Sequence, residues 1–224
     1  MTRDPAMGGD DEKSAEERRA EQFLRDAYAL ESQADTQAFY ARWAEEYDAQ
    51  LQRGLHYVAP REIAETLARH LDDRQAPILD VGCGTGLTCA CLEDLGFTTI
   101  DGLDFSSAML AVARGKGIYR RLVEADLLAT LPLEDAAYAA LVSTGTFTVG
   151  HVGPEPLDEL LRVLAPEGLL VCTVHEKVWE SHGFAAAFGA LEGAGRVRSV
   201  EQRNGCFFAG AEAAARYCVY RKRG

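Results

Sequence analysis

The sequence predicts an α/β fold: a doubly wound, mostly parallel sheet carrying an N-terminal helical cover. From Pro77 onward, short apolar runs alternate with amphipathic helical stretches, which is how a parallel sheet covered on both faces reads. The first of those runs ends directly in a glycine-rich loop that opens a helix, the first turn of such sheets. Before Pro77 the pattern is helical and rich in aromatics, so that segment is expected to pack on something else.

The elements follow in order. Residues 1–13 are polar and acidic with nothing to bury, and are expected to be disordered. Ser14-Ala15-Glu16-Glu17 reads as a capping box, followed by an apolar stripe of Phe23, Leu24, Ala27 and Tyr28. A second helical stretch begins near Asp35 and carries Phe39, Tyr40, Trp43 and Tyr47. Residues 14–59 are therefore read as a helical cover or lid, and 60–224 as the main domain. Pro60 suits the first turn of a helix whose Ile63, Leu67 and Leu71 share one face. Strands are expected at Ile78–Val81, Thr98–Leu103, Leu122–Ala125, Ala139–Ser143 and Leu169–Val174, with helices at Leu87–Leu95, Ser106–Arg114 and Leu157–Leu164. Arg196–Arg203 and Arg216–Arg221 alternate as a closing antiparallel pair. That end carries seven cations against two carboxylates, read as a solvated sheet edge rather than an anion site.

Composition narrows the function. The chain has 224 residues, with 23 Lys and Arg against 35 Asp and Glu, a formal net charge of −12. Such a balance disfavours nucleic acid, whose phosphates need clustered cations, and an anionic membrane surface. Apolar runs such as Gly168–Val174 are far shorter than the ~20 residues of a spanning helix. The polar, acidic start is not read as a signal peptide, so a cytoplasmic location is expected. Six cysteines form no CxxC pair, so buried reduced thiols are expected and no metal site. Small-molecule chemistry is the reading that remains.

The residues that carry chemistry begin at Ile78-Leu79-Asp80-Val81-Gly82-Cys83-Gly84-Thr85-Gly86. Glycine lets a ligand approach the backbone closely. Asp80, two residues before the first glycine, repels a pyrophosphate but pairs with an ammonium group. Leu87 stands where a dinucleotide fingerprint wants Gly or Ala, and no Gly-Lys-Ser/Thr of a P-loop follows. Asp104 ends the second strand 22 residues after Gly82, about where an acid holds ribose hydroxyls. Phe105 and Met109 suit the faces of an adenine. Asp126, within Glu124-Ala125-Asp126-Leu127, suits an exocyclic amine. Acids at the ends of three successive strands make a pocket, and Thr144-Gly145-Thr146 allows close backbone approach.

This constellation resembles the class I S-adenosylmethionine-dependent methyltransferases, over roughly Asp80 to Val174. The pieces that match are the Asp-x-Gly-x-Gly-x-Gly loop, Gly102-Leu103-Asp104-Phe105-Ser106 with Met109-Leu110, Ala125-Asp126, and the run Leu161-Arg162-Val163-Leu164-Ala165-Pro166-Glu167-Gly168-Leu169-Leu170, where Glu167 stands in place of a common glycine. Tyr40-Ala41-Arg42-Trp43-Ala44-Glu45-Glu46-Tyr47-Asp48, Gly145-Thr146-Phe147-Thr148 and Gly150-His151-Val152-Gly153-Pro154-Glu155 resemble the Williams–Beuren syndrome-region methyltransferase-like group. The resemblance implies a Rossmann-like seven-stranded sheet with an antiparallel last strand. It also implies S-adenosylmethionine (SAM) as methyl donor and S-adenosylhomocysteine as product. By position it implies Asp80 and the Gly82-Cys83-Gly84-Thr85-Gly86 loop near the methionine moiety, Asp104 on the ribose, Ala125, Asp126 and Leu127 at the adenine, and Trp43 and Tyr47 folded over the donor.

Acceptor-side groups should lie beyond the fourth and fifth strands. That selects Thr146, Thr148 and His151, then His175 and Glu176, with His56 and Tyr57 from the linker. His151 and His175 are the candidates for a proton acceptor. His70 and His182 have no supporting context. A non-catalytic SAM-binding or interaction protein stays open, as does, less favoured, a nicotinamide-dependent oxidoreductase. An O, N or S nucleophile is equally compatible, and oligomeric state is not legible.

Overall fold

A computed structural model describes residues 55–224, together with residues 18, 19, 22, 25, 26, 39, 42–44, 47–49 and 51. The expected tail 1–13, the capping box at Ser14 and the Phe23–Tyr28 stripe lie outside the described residues, apart from Arg25 and Asp26.

Seven strands form one sheet: β1 (Ile78–Val81), β2 (Ile100–Asp104), β3 (Arg121–Glu124), β4 (Tyr138–Phe147), β5 (Leu164–His175), β6 (Val197–Gly205) and β7 (Ala215–Lys222). Their order is β3-β2-β1-β4-β5-β7-β6. All pairs up to β5 are parallel, and β7 runs antiparallel to both β5 and β6. The expected sheet with its reversed last strand is thus present, and its chain reversal between β3 and β4 puts a switch point beside β1, where such sheets open a crevice.

Strand alternation divides the core. Leu79, Val81, Leu103, Leu141 and Leu170 face α4 (Leu157–Val163), α5 (Glu176–Ser181) and α6 (Phe184–Gly193). Ile78, Ile100, Ala140, Val142 and Val171 face α1 (Ala59–His70) and α2 (Leu87–Asp94). Helix α1 has Pro60 in its first turn and buries Ile63, Ala64 and Leu67 completely, with Leu71 as its C-cap. Helix α3 (Ser107–Lys116) starts one residue after the expected Ser106, because Ser106 is the N-cap and accepts from the Met109 amide at 3.3 Å. Glu167 adopts φ +60, the left-handed conformation that explains why glycine is common in this turn.

Two helices lie where periodicity carries no signal. Helix α5 is too short for one, and α6 (FAAAFGALEG) is so rich in small residues that Phe184, Phe188 and Leu191 make only a faint stripe.

Described residues of the N-terminal segment dock beside the glycine loop. Phe39 and Leu51 are buried against Leu87, with Trp43, Tyr47, Tyr57 and Phe208 packed around them; burying two such side chains contributes on the order of 3–6 kcal/mol. Leu87, the residue that breaks the dinucleotide pattern, is therefore the docking point. A polar clasp adds to it: Asp48 accepts from the Thr85 hydroxyl and from the Lys116 ammonium. Among the described residues, no helix is long and apolar enough to cross a membrane.

Candidate functional site

A cavity of about 630 Å³ opens at the carboxyl ends of β1, β2 and β4. Gly82 and Gly84 come from the β1 loop, Asp104 and Phe105 from the end of β2, Met109 from α3, and Ala125, Asp126 and Leu127 from the segment after β3. Thr144, Gly145 and Thr146 come from the carboxyl end of β4, His151 from the loop beyond it, and Tyr47 from the N-terminal segment. The fold brings these expected residues to one place.

The glycine loop shows why the residue types matter. Gly82 has φ +67, and a Cβ there would overlap the Thr146 side chain, whose hydroxyl donates to the Val81 carbonyl at 3.2 Å. Asp104 accepts from the amides of Gly84 and Ser106, each at 2.8 Å, tying loop to strand. Its burial pushes its pKa up, while those backbone donors favour the charged form. Asp126 accepts from the Leu128 amide at 2.9 Å, turning the chain over the cavity. His151 has its pKa lowered by burial, which keeps the ring neutral. Its Nδ1 lies 3.0 Å from the Val149 carbonyl. A carbonyl only accepts, so Nδ1 carries the proton and Nε2 the lone pair.

Other expected residues stand elsewhere. Asp80 does not line the cavity, because strand alternation turns it to the α1/α2 side with Ile78, where the Tyr119 hydroxyl donates to it at 2.7 Å. Burial pushes its pKa up to about 7, against the opposing Tyr119 bond. Native Asp80 thus holds its proton up to near neutrality, while the unfolded carboxyl loses it near pH 4, so stability falls as pH rises between the two. Asp80→Asn should therefore raise the melting temperature by at least about 3 °C at pH 7.5, with the gain shrinking as pH falls toward 4. Scanning calorimetry across that range checks it.

Cys83 is buried and Thr85 is taken by Asp48, so the loop's two side chains hold structure while its backbone faces the cavity. Gly86 begins α2 against Tyr119 rather than meeting the cavity. Trp43 packs on Phe39 at 6.2 Å, under the Arg19 guanidinium. His175 is the N-cap of α5: its Nδ1 accepts from the Lys177 amide at 3.1 Å and its ring stacks on Phe207 at 5.7 Å. It is a structural histidine outside the cavity. Glu176 pairs with Arg216 at 3.1 Å. His56 is exposed and does not line the cavity, and Tyr57 packs on Phe208 with its hydroxyl 2.8 Å from where a Gly145 side chain would begin. Thr148 is buried behind the lining, and among the described residues its hydroxyl has no hydrogen-bond partner.

The cavity also contains Leu103, Leu128, Gly150, Val152, Gly153, Glu155, Ser181 and His182, none of them selected as site residues from the sequence. The stretch Gly150–Glu155 was visible as a motif. Ser181 and His182 had no signal, because they end the unassigned helix α5.

Among the described residues, no Lys or Arg lines this cavity and no cluster of His, Cys, Asp or Glu could hold a metal. The donor set therefore suits a ligand with hydroxyls, a flat ring and a cationic centre, and not a pyrophosphate. Asp104 meets the first need, and Phe105, Met109 and Leu127, with Asp126 for an exocyclic amine, the second. SAM has these features.

A methyltransferase domain family model matches residues 79–172. Human methyltransferase-like protein 27 is 36% identical over 153 residues, covering 67% of this chain and 62% of that protein. Demethylmenaquinone methyltransferase of Thermus thermophilus is 41% identical over 99 residues, 42% of this chain and 44% of that enzyme. The chain thus spans less than two thirds of the curated relatives it matches. The crystal structure of a putative SAM-dependent methyltransferase from Methanococcus maripaludis superposes with a TM-score of 0.61 at 17% identity, covering 82% of this chain and 94% of that one; at that identity the likeness is one of fold.

Proposed function

We propose that this chain, which belongs to the class I SAM-dependent methyltransferases, methylates a small-molecule acceptor bound beside the donor in the cavity described above. SAM supplies an electrophilic methyl group on a positively charged sulfur, which an acceptor atom displaces in line. In this reading Asp104 binds the ribose hydroxyls, Asp126 the adenine amine, and Phe105 and Met109 the ring faces. The backbone of Gly82, Gly84, Thr144 and Gly145 lies along the methionine portion. His151, kept neutral by burial and carrying its lone pair on Nε2, takes a proton from an acceptor that arrives protonated. Much of the rate comes from holding the reacting atoms in line in a dry site. Residues 14–59 act as the cover that excludes water, clasped through Asp48. Domain 60–224 does the binding, in the cytoplasm.

The observation that carries the reading is the single continuous cavity. Asp104 and Asp126 line it together with His151, Glu155 and His182, taken in this reading as the acceptor lobe, room that a non-catalytic donor-binding protein does not need. Calorimetric titration with SAM, S-adenosylhomocysteine and NAD tests it. Micromolar binding of the first two with NAD silent is expected; NAD binding would restore the oxidoreductase.

A further inference from the structure

We propose that the acceptor lobe selects a protonatable amine, with Glu155 as its specificity-determining residue. The proposal rests on the methyltransferase reading and adds the substrate class.

His151, Glu155 and His182 bring acceptor atoms to the lining. Ser181 Oγ donates to the Lys177 carbonyl at 2.6 Å and lies 3.0 Å from Nδ1 of His182. A hydroxyl has one proton, and the carbonyl holds it, so Nδ1 of His182 must donate to Oγ. The neutral form of the His182 ring then has its lone pair on Nε2, the tautomer that the Val149 carbonyl sets for His151. Glu155 brings two more acceptor oxygens. Its carboxylate lies against Gly153, near where a Cβ would begin, and both residues line the cavity.

A ligand here must bring donors and tolerate negative charge. Among the described residues, the charged side chains lining the cavity are Asp104, Asp126 and Glu155, with no Lys or Arg; the donor's ribose and adenine take the first two, leaving Glu155 for the acceptor. A primary ammonium offers three N–H donors and a positive charge. An alcohol offers one donor and no charge. A carboxylate or phosphate offers no donor and is repelled. Leu128 and Val152 in the lining add apolar wall for a hydrocarbon body.

The test is calorimetric and uses the full chain saturated with S-adenosylhomocysteine. The probes are matched pairs, 2-phenylethylamine with 3-phenylpropanoate and hexylamine with hexanoate. The amines should bind at least about tenfold more tightly than their carboxylates. Glu155→Gln should weaken amine binding about tenfold, and Glu155→Arg should reverse the preference. Both variants should keep the parent melting temperature and product affinity, because Glu155 is exposed. Amines binding no better than carboxylates, silence in both pairs, or Glu155→Gln within twofold of the parent overturns the amine class and leaves the donor site intact. Failure of S-adenosylhomocysteine to bind takes down the methyltransferase reading, and this one with it.

Discussion

Asp104→Ala is expected to weaken S-adenosylhomocysteine binding at least about 100-fold, a loss of about 2.7 kcal/mol. The carboxylate has two tasks. It accepts from the amides of Gly84 and Ser106, which ties the glycine loop to the end of β2, and it lines the cavity. Alanine leaves two amides without their acceptor, each costing about 1–3 kcal/mol where water cannot replace it, and removes the carboxylate proposed to hold the ribose. Asp104→Asn separates the tasks: its one amide oxygen keeps one backbone bond while the charge goes, so the fold should survive and the affinity should still fall. Titration paired with melting curves reads both. Affinity within threefold in Asp104→Ala, under about 0.7 kcal/mol, would remove Asp104 from the donor site. Burial pushes the Asp104 pKa up. Product affinity should therefore fade as pH drops at a higher pH than for an ordinary carboxylate, because protonation removes the acceptor.

What the sequence made legible was whatever depends on near neighbours. Ile78–Val81 is apolar at every position but one and ends in glycine, so both the strand and its loop could be read. Ser106 capping α3 is a matter of three residues. Asp104 and Asp126 end consecutive parallel strands or follow them, and parallel strands place such residues together by construction. The misplaced residues depend on partners far along the chain. Asp80 was expected in the cavity because it adjoins the loop, but alternation turns it toward Tyr119. His175 stands at a strand end, as a catalytic residue would, yet its ring caps the next helix. His182 is the converse case: nothing near it marks it, and it reaches the cavity only because α5 folds back from β5. An alanine-rich helix and a six-residue helix carry too little periodicity to announce themselves.

The second large effect is on stability, at a residue no motif marks. Asp101, in β2, is fully buried and accepts from Nε and Nη2 of Arg120 and from the Tyr138 hydroxyl, all at 2.8 Å, with Arg121 at 3.3 Å. It fastens β2 to the chain entering β3 and to the start of β4, below the cavity. Burial alone would raise its pKa, but Arg120, Tyr138 and Arg121 outweigh that and hold it below the usual carboxylate range. Asp101→Ala leaves the buried Tyr138 hydroxyl accepting from Arg121, 2.8 Å away, while its own proton loses the Asp101 acceptor. The half-exposed arginines can turn to water, so the cost falls short of the 3–5 kcal/mol of a stranded buried charge. About 2–3 kcal/mol is expected, or about 5–10 °C in melting temperature for a chain of this length. The sign with pH is set by the depressed value. Native Asp101 stays charged when the unfolded carboxyl takes a proton, so its contribution is whole above about pH 4 and is lost as pH falls through the native value. Parent and variant should therefore differ most at neutral pH and converge in acid. A difference independent of pH would mean that packing, and not the charge cluster, holds this corner of the sheet.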